Sequence, residues 1–256
     1  MDLKFRDMND HQDELLTELQ EKSLKFGVKL TSEQLNALKD FCLEIIDYSK
    51  HTNLVGKAEL PILLQDHVLD SLALVPFIKN ATDNKAIRLI DIGSGGGFPA
   101  FVLAIALPNL QVTMVEALAK KCRFLEEATR KLTLEKRISV LCRRAEELAH
   151  ERGFREQFNI GTARAVGTFD LSAELVMPFL SVEGKFLAQK SAAQREDEVQ
   201  RAEGCLSKLS GKLCDVKDLD ENILGKSRIV LIAEKIRPSD DAYPRTWTKI
   251  KSRPLV

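Results

Sequence analysis

Asp91-Ile-Gly-Ser-Gly-Gly-Gly-Phe-Pro99 follows the largely apolar run 87–90 and opens onto the apolar, helix-compatible stretch 98–107. A strand that ends in a glycine-rich turn and leads into a helix is built to bind an anionic or nucleotide-like ligand. The glycines let the backbone come close, and the free N–H groups of the helix start point at the ligand's negative end. The spacing is D-x-G-x-G-x-G and not the dinucleotide fingerprint G-x-G-x-x-G, because Phe98 occupies the place of the last glycine. A second β-rich run, 111–115, ends at Glu116, which puts a carboxylate at a strand tip where it can accept hydrogen bonds from both hydroxyls of a ribose. Glycine turn plus ribose acid predicts a nucleoside cofactor without a pyrophosphate, and S-adenosylmethionine fits best. The bland alternative is an ordinary glycine-rich turn.

The surrounding chain has 256 residues, 44% of them hydrophobic and 30% charged, which suits a globular protein with one substantial core. The run 101–107 is too short to span a bilayer. The first nine residues are charged and hold no apolar signal region, which predicts a cytoplasmic protein without a membrane partner. Five cysteines (Cys42, Cys122, Cys142, Cys205, Cys214) include no C-x-x-C pair, and their odd number and scatter argue against a disulfide frame and a zinc site. Reduced thiols in the core are expected of most of them. Net charge is zero, so a nucleic-acid surface would have to come from local clustering.

Outward from the glycine motif the pattern changes character. Residues 10–26 read as a helix stopped by Gly27. Thr31-Ser-Glu-Gln34 forms a capping box before a helix carrying Leu35, Leu38, Phe41, Cys42, Ile45 and Ile46 at helical spacing. A third helix is expected over 61–78. Beyond Ile87 the reading is strands near 87–92, 111–116, 138–142, 158–165, 184–189, 214–219 and 228–234. Helices are expected between most of them, at 98–107, 119–132, 171–180 and 194–209. Such alternation gives an α/β fold with a seven-stranded, mainly parallel sheet and helices on both faces. The segment 220–225 reads as a polar loop, so the last strand should close antiparallel. Three parts follow: an N-terminal helical region packed on the core (1–80), a Rossmann-like core (81–235) and a basic C-terminal tail (236–256) lying across the surface. Ligands of such sheets sit beyond the carboxyl ends of the strands where strand order reverses, which selects 91–98, Glu116, 144–146 and Arg164.

At these positions the chain resembles the small-subunit ribosomal RNA methyltransferase G family, also called glucose-inhibited division protein B, over about residues 40–256. The matching pieces are Asn53-Leu54, His67-Val-Leu-Asp-Ser-Leu72, the glycine motif, Lys120-Lys-Cys-Arg-Phe-Leu125, Arg144-Ala-Glu146, Ala163-Arg-Ala165, Lys190, Tyr243-Pro-Arg245 and Pro254-Leu255. The glycine motif alone says only methyltransferase, whereas the H-x-L-D-S-L segment and the Y-P-R tail are specific to the family. The resemblance implies a class I S-adenosylmethionine-dependent methyltransferase with N-terminal helices, acting on N7 of a guanine in the 530 loop of 16S rRNA. Its partner would be 16S rRNA or the small ribosomal subunit, and the protein would be a monomer. There are departures. The family's F-P-G-I-P-L-A-I reads Phe98-Pro-Ala-Phe-Val-Leu-Ala-Ile105, its G-T-P after Y-P-R is replaced by Thr248-Lys-Ile250, and N-L-T becomes Asn53-Leu-Val55. Two other readings compete: a methyltransferase for another RNA or a small molecule, and a non-catalytic ribosome-binding protein with this fold.

Methyl transfer from a sulfonium to guanine N7 is an in-line displacement on a lone pair that is free at neutral pH. No general base is required; alignment, worth up to about 7–11 kcal/mol in favourable models, is the task. After the fourth strand stands Asn159-Ile-Gly-Thr-Ala-Arg164, without the N/D-P-P-Y/F motif of amino-group methyltransferases, and no Pro-Cys or Thr-Cys nucleophile stands at a strand end. For the cofactor, Gly93, Gly95 and Gly97 would admit the methionine part, with Phe98 beside it. Asp91 would supply negative potential near the cationic end or hold the loop, and Glu116 would take the ribose. Ala145 and Glu146 would read the adenine edge, Glu146 being otherwise a first-turn acid favoured by the helix dipole. Arg164 is expected between cofactor and substrate, as a contact to the former or a positioning group for the latter, against a structural arginine at the sheet rim. His67 and Asp70 share a helix face with Ser71. One His and one Asp are an incomplete metal set, and only the resemblance makes them substrate candidates, with Lys190 and Arg245. Arg123, beside Lys120 and Lys121, and the cluster Lys235, Arg237, Arg245, Lys249, Lys251 and Arg253 are candidates for RNA phosphates. Tyr243 is expected to anchor the tail; Trp247 could anchor it or stack on a base.

Overall fold

The computed structural model describes residues 2–79 and 86–255; the expected boundary at 80/81 lies outside them. The lead-in is helical: α1 (Asp2–Lys25), α2 (Ser32–Tyr48), α3 (Leu60–Ile62), a π-helical stretch (Leu63–Leu69), α4 (Asp70–Leu72) and α5 (Val75–Lys79). Gly27, at φ +72°, ends α1, which starts eight residues earlier than its leucine pattern suggested. The capping box before α2 is closed both ways, Gln34 N donating to Thr31 Oγ1 (3.2 Å) and Thr31 N to Gln34 Oε1 (2.9 Å). The helix expected over 61–78 is present but not uniform. Its middle widens into the π stretch, and it breaks before Val75 because Pro76 suits only a helix start. By length and composition Leu60–Lys79, with a mean hydropathy of 1.3, is long and apolar enough to cross a membrane. Its apolar side instead enters the core through Leu63, Leu64, Val68, Leu69 and Leu72.

The remainder alternates: β1 (Ile87–Ile92), α6 (Ala100–Ala106), β2 (Leu110–Glu116), α7 (Ala119–Lys131), β3 (Ile138–Cys142), α8 (Ala145–Leu148), β4 (Phe158–Thr162), α9 (Phe169–Val176), β5 (Leu180–Ser191), α10 (Arg195–Leu206), β6 (Gly211–Leu219), α11 (Glu221–Leu224), β7 (Arg228–Lys235) and α12 (Trp247–Ser252). Strand order is β3-β2-β1-β4-β5-β7-β6, with β7 antiparallel to both neighbours. Neighbouring residues of one strand feed opposite faces, as the two-residue period of a strand demands. Leu89, Met114 and Val230 join a cluster with Leu38, Phe41, Leu69 and Phe101, while Ile90, Val115 and Leu231 join one with Phe169, Phe186 and Ile250.

Four expectations are corrected. The strand read as 158–165 ends at Thr162, where its pairing with β1 stops, and Ala165 takes φ +59°. The helix read as 171–180 ends at Val176 because Pro178 forces a 3-10 turn. The polar loop at 220–225 is a capped helical turn, with Asp220 accepting from Asn222 N and Gly225 left-handed at φ +69°. The tail does not merely cross the surface, since α12 buries Ile250 completely and Leu255 packs beyond it.

Candidate active site

Strand order reverses between β1 and β4, and two cavities open there, beyond the carboxyl ends of the strands. One, of about 410 Å³, is floored by Ile92, Gly93 and Glu116 and walled by Ala145, Glu146, Val166, Leu175, Leu118 and Trp247. The other, of about 540 Å³, holds His67, Asp70, Arg164, Gln189, Lys190, Lys226 and Arg228. Ala165 lines both, so the turn after β4 is the partition between them.

The first cavity is made largely of backbone. Gly93 at φ +70° donates to Val115 O (2.8 Å), tying the turn to the next strand. A Cβ on Gly93 would meet Val166 at 2.8 Å, and one on Gly97 (φ +88°) would meet Phe101 at 2.4 Å. Glu116 is 6% exposed and fixed from two sides, Oε2 accepting from Gly95 N (2.9 Å) and Oε1 from Leu118 N (2.9 Å). Each oxygen keeps a second lone pair, so a ribose diol meets an acceptor pair already oriented. Below the turn, Asp91 is 1% exposed. Its Oδ1 accepts from Thr162 Oγ1 (2.7 Å), and its Oδ2 has no hydrogen-bond partner among the described residues. Burial pushes this carboxyl up to about 7, against the pull of Thr162, Ser94 and Arg164. A glycine cradle floored by the oriented Glu116 carboxylate, with an orphaned buried acid beneath the turn that itself lines neither cavity, fits a nucleoside ligand that carries positive charge.

The second cavity is made of charged side chains of both signs, with Asp70 as the hub and Asp66 and Glu198 also lining it. Asp70, 2% exposed, faces Arg164 Nη1 (3.3 Å), Arg228 Nε (3.6 Å) and Lys226 Nζ (3.9 Å). Gln189 Nε2 donates to its main-chain oxygen (2.9 Å) and to Oδ1 (3.1 Å). Arg164 Nη2 reaches His67 Nδ1 at 2.5 Å, and both groups lie on Phe98, the imidazole stacked at 4.9 Å and the guanidinium at 5.2 Å from the ring centroid. Burial first, then the Arg164 charge, pushes His67 down to about 4. Lys190 donates to Gly167 O (2.5 Å) and pairs with Glu198 (3.2 Å), whose other oxygen accepts from Phe169 N (2.6 Å) at the start of α9.

Several sequence expectations change place. Phe98 packs on Phe41 (5.1 Å), His67 and Arg164 and lines neither cavity. Arg164 lines the second cavity, not the first. Arg245 is committed elsewhere: Nε and Nη2 bind both oxygens of fully buried Glu174 (2.7 and 2.6 Å), and its backbone N binds Oε1 (2.9 Å). It anchors the start of α12, as does Arg155, which donates to Ala149, Tyr243, Ser239 and Asp240 carbonyls. Lys235 is completely buried on Met177 O (2.9 Å), and Arg237 donates to Ser207 O (3.1 Å). Arg245 and Lys235 leave the expected RNA cluster; Arg237, Lys249, Lys251 and Arg253 stay exposed, as do Lys120 and Arg123 at the start of α7. Cys122 and Cys142 form a disulfide (Cα–Cα 5.6 Å), against the expectation of reduced thiols, because the β2–α7–β3 crossover returns the helix start to the strand end. Buried Cys42 and Cys205 match it. Gln189, Lys226 and Arg228 line the second cavity without having been singled out in the sequence, and Trp247, expected to anchor the tail or stack on a base, lines the first.

A nucleoside cradle at the switch point of a doubly wound sheet, with a charged cavity across a shared wall, defines a class I methyltransferase that uses S-adenosylmethionine. The [4+2]-cyclase SpnF shares the fold: its structure superposes with a TM-score of 0.50 at 14% identity, covering 83% of this chain and 98% of that one. Sequence carries the assignment further. Residues 34–228 match the model of the GidB family, rRNA small subunit methyltransferase G. The chain is 32% identical over 230 residues to the ribosomal RNA small subunit methyltransferase G of Leuconostoc citreum (90% of this chain, 95% of that one). It is 33% identical to that of Streptococcus sanguinis (90% and 94%). The chain belongs to the rRNA small subunit methyltransferase G family.

Proposed function

We propose that the protein transfers the methyl group of S-adenosylmethionine to N7 of a guanine in the 530 loop of 16S rRNA, in the cytoplasm and as a monomer. The observation that carries this reading is the pair of cavities sharing Ala165, one shaped for a nucleoside and the other lined by charged groups of both signs, with Arg164, Lys190, Lys226 and Arg228 outnumbering Asp66, Asp70 and Glu198. The methyl donor brings its own electrophile and leaving group. What the chain adds is alignment and exclusion of water. Glu116 holds the ribose, Asp91 the cationic end and the Ala145–Glu146 turn the adenine edge, with Gly93, Gly95 and Gly97 admitting the methionine part. Leu118, Val166 and Trp247 close apolar walls over the bound nucleoside. Across Ala165, Arg164 orients the acceptor base from a position that Asp70 and Phe98 fix. Lys190 braces the wall behind it, and Arg123 with the exposed end of the tail takes RNA phosphates. No side chain is needed to remove a proton, because N7 attacks with a free lone pair.

The test is aniline-cleavage mapping of N7-methylguanine in small-subunit rRNA from cells lacking the protein. One cleavage site in the 530 loop should disappear and return on complementation with the wild-type chain but not with Glu116→Ala. A site that persists without the protein overturns the reading.

A further inference from the structure

His67 is placed more narrowly than a packing histidine requires. A guanidinium can only donate, so the imidazole Nδ1 that meets Arg164 Nη2 at 2.5 Å must accept and carries no proton. The single proton of the neutral ring then sits on Nε2. Three further contacts fix where that N–H stands: the ring is stacked on Phe98 at 4.9 Å and 29°, Phe98 is itself wedged on Phe41, and the His67 carbonyl accepts from Ser71 Oγ (2.6 Å). Nε2 makes no hydrogen bond among the described residues, although the ring is half-buried and lines the 540 Å³ cavity. A donor has been oriented and left for something that enters.

We infer that His67 reads the target base, its Nε2–H donating to O6 of the guanine whose N7 faces the methyl donor across Ala165. The inference rests on the guanine-N7 reading above. On that edge guanine shows two adjacent acceptors, N7 and O6, whereas adenine shows an amino donor in place of O6. With the N7 lone pair spent on the incoming methyl, O6 is the acceptor that remains, and an adenine would set its amino group against the imidazole N–H. The charge state suits the product as well. Methylation leaves a positive purine, which a neutral donor does not repel.

The groups acting on His67 keep it neutral. Burial, the largest cause, acts with Arg164, Lys226 and Arg228 against a second proton while Asp66 favours one, leaving the group at about 4; Asp70 is already shared among the same three cations. Base reading by His67 therefore does not titrate between pH 5.5 and 8.5, and a charged imidazole is not the species at work.

Small ribosomal subunits reconstituted with either guanine or 2-aminopurine (which keeps N7 but lacks O6) at the target position test this by a double-mutant cycle under single-turnover conditions. Wild type should methylate the 2-aminopurine subunit roughly 10–100-fold more slowly. His67→Phe, which keeps the stack on Phe98, should lose a similar factor on guanine and nothing further on 2-aminopurine. His67→Gln, which keeps an acceptor for Arg164 and an N–H donor, should recover part of the guanine rate. S-adenosylmethionine affinity of each variant should stay at the wild-type value. His67→Phe, which leaves Arg164 Nη2 without its acceptor, should lower the thermal midpoint, and His67→Gln should restore part of it. At saturating S-adenosylmethionine the wild-type guanine rate should carry no titration between pH 5.5 and 8.5. Losses that multiply in the cycle, or a rate that falls as pH rises through 6–7, overturn the role of His67 while wild type still yields N7-methylguanine. Absence of N7-methylguanine in the wild-type product overturns the functional reading itself, and this inference with it.

Discussion

The two cavities on either side of Ala165 are held by different physics. The donor side is fixed by main chain: three left-handed glycines, a Gly93–Val115 bond between strands, and a carboxylate clamped by two backbone N–H groups. The acceptor side is fixed by side-chain charge, with Arg164, Lys226 and Arg228 gathered on a single buried aspartate. Backbone geometry is set once strands β1 and β2 pair, so the donor cradle forms with the fold. A network of long side chains instead depends on every member, because removing one leaves its partners desolvated and unpaired. The donor site should therefore tolerate loss of a neighbour better than the acceptor site tolerates loss of its hub.

Replacing that hub should give the largest effect. Asp70→Ala strands a half-buried cluster of positive charge, at a cost of about 3 kcal/mol in folding stability, read by urea denaturation. Methyl transfer should fall by roughly 100-fold or more, while S-adenosylmethionine affinity measured by calorimetry should move by less than about threefold, because Asp70 touches no residue of the donor cavity. A parallel collapse of cofactor affinity would break the division into two independently built halves.

A second variant sharpens the donor half. Asp91 is raised to about 7 by burial, so the folded free protein binds a proton that the unfolded chain, titrating near the ordinary carboxylate value, has released. Between about pH 4 and 7 the native state thus holds more protons, and stability of the free protein should decline as pH rises through that window. A cationic ligand favours the ionised form. S-adenosylmethionine affinity should then increase with pH by up to about tenfold per unit below 7 and level off above it, with proton release visible as a buffer-dependent binding enthalpy. Asp91→Asn should flatten both trends. A wild-type affinity that is flat from pH 5 to 7 would place Asp91 in the loop's hydrogen bonding rather than opposite the ligand's charge.

The same contrast explains what the sequence did and did not disclose. Gly93, Gly95, Gly97 and Glu116 lie in one β–turn–α–β unit of 30 residues (87–116), so spacing alone reports their geometry. The acceptor cavity draws on residues 66–70, 164, 189–190 and 226–228, and no local pattern joins them. Arg228 and Lys226 were within reach of inference, since a closing antiparallel strand begins at the rim where parallel strands end, and β7 was expected to run that way. Arg245 and Lys235 misled for the opposite reason. A basic residue in a proline-containing tail, or at the strand end that leads into it, reads as solvated, and only tertiary structure shows that Glu174 and the Met177 carbonyl are waiting for them. Cys122 and Cys142 were equally silent, being 20 residues apart on elements that meet only when the crossover closes.

The smallest expected effect concerns the part of the tail that remains exposed. α12 carries Ile250 into the core and Trp247 to the donor cavity, while Lys249, Lys251 and Arg253 point to solvent. One short helix thus borders the donor half on one side and offers Lys249 and Lys251 on the other, with Arg253 just past its end. Replacing the three cations together by glutamine should weaken RNA binding only modestly at low salt. The logarithmic salt dependence should become shallower by roughly 0.7–0.9 for each phosphate no longer neutralised. S-adenosylmethionine affinity should stay unchanged, since no replaced side chain lines that cavity. Filter binding to small-subunit rRNA across a salt series measures the slope, and calorimetry measures the cofactor. A shallower slope with constant cofactor affinity extends the RNA-binding surface to the exposed side of α12. An unchanged slope would restrict α12 to closing the donor cavity and leave the RNA phosphates to Lys120, Lys121 and Arg123 at the start of α7.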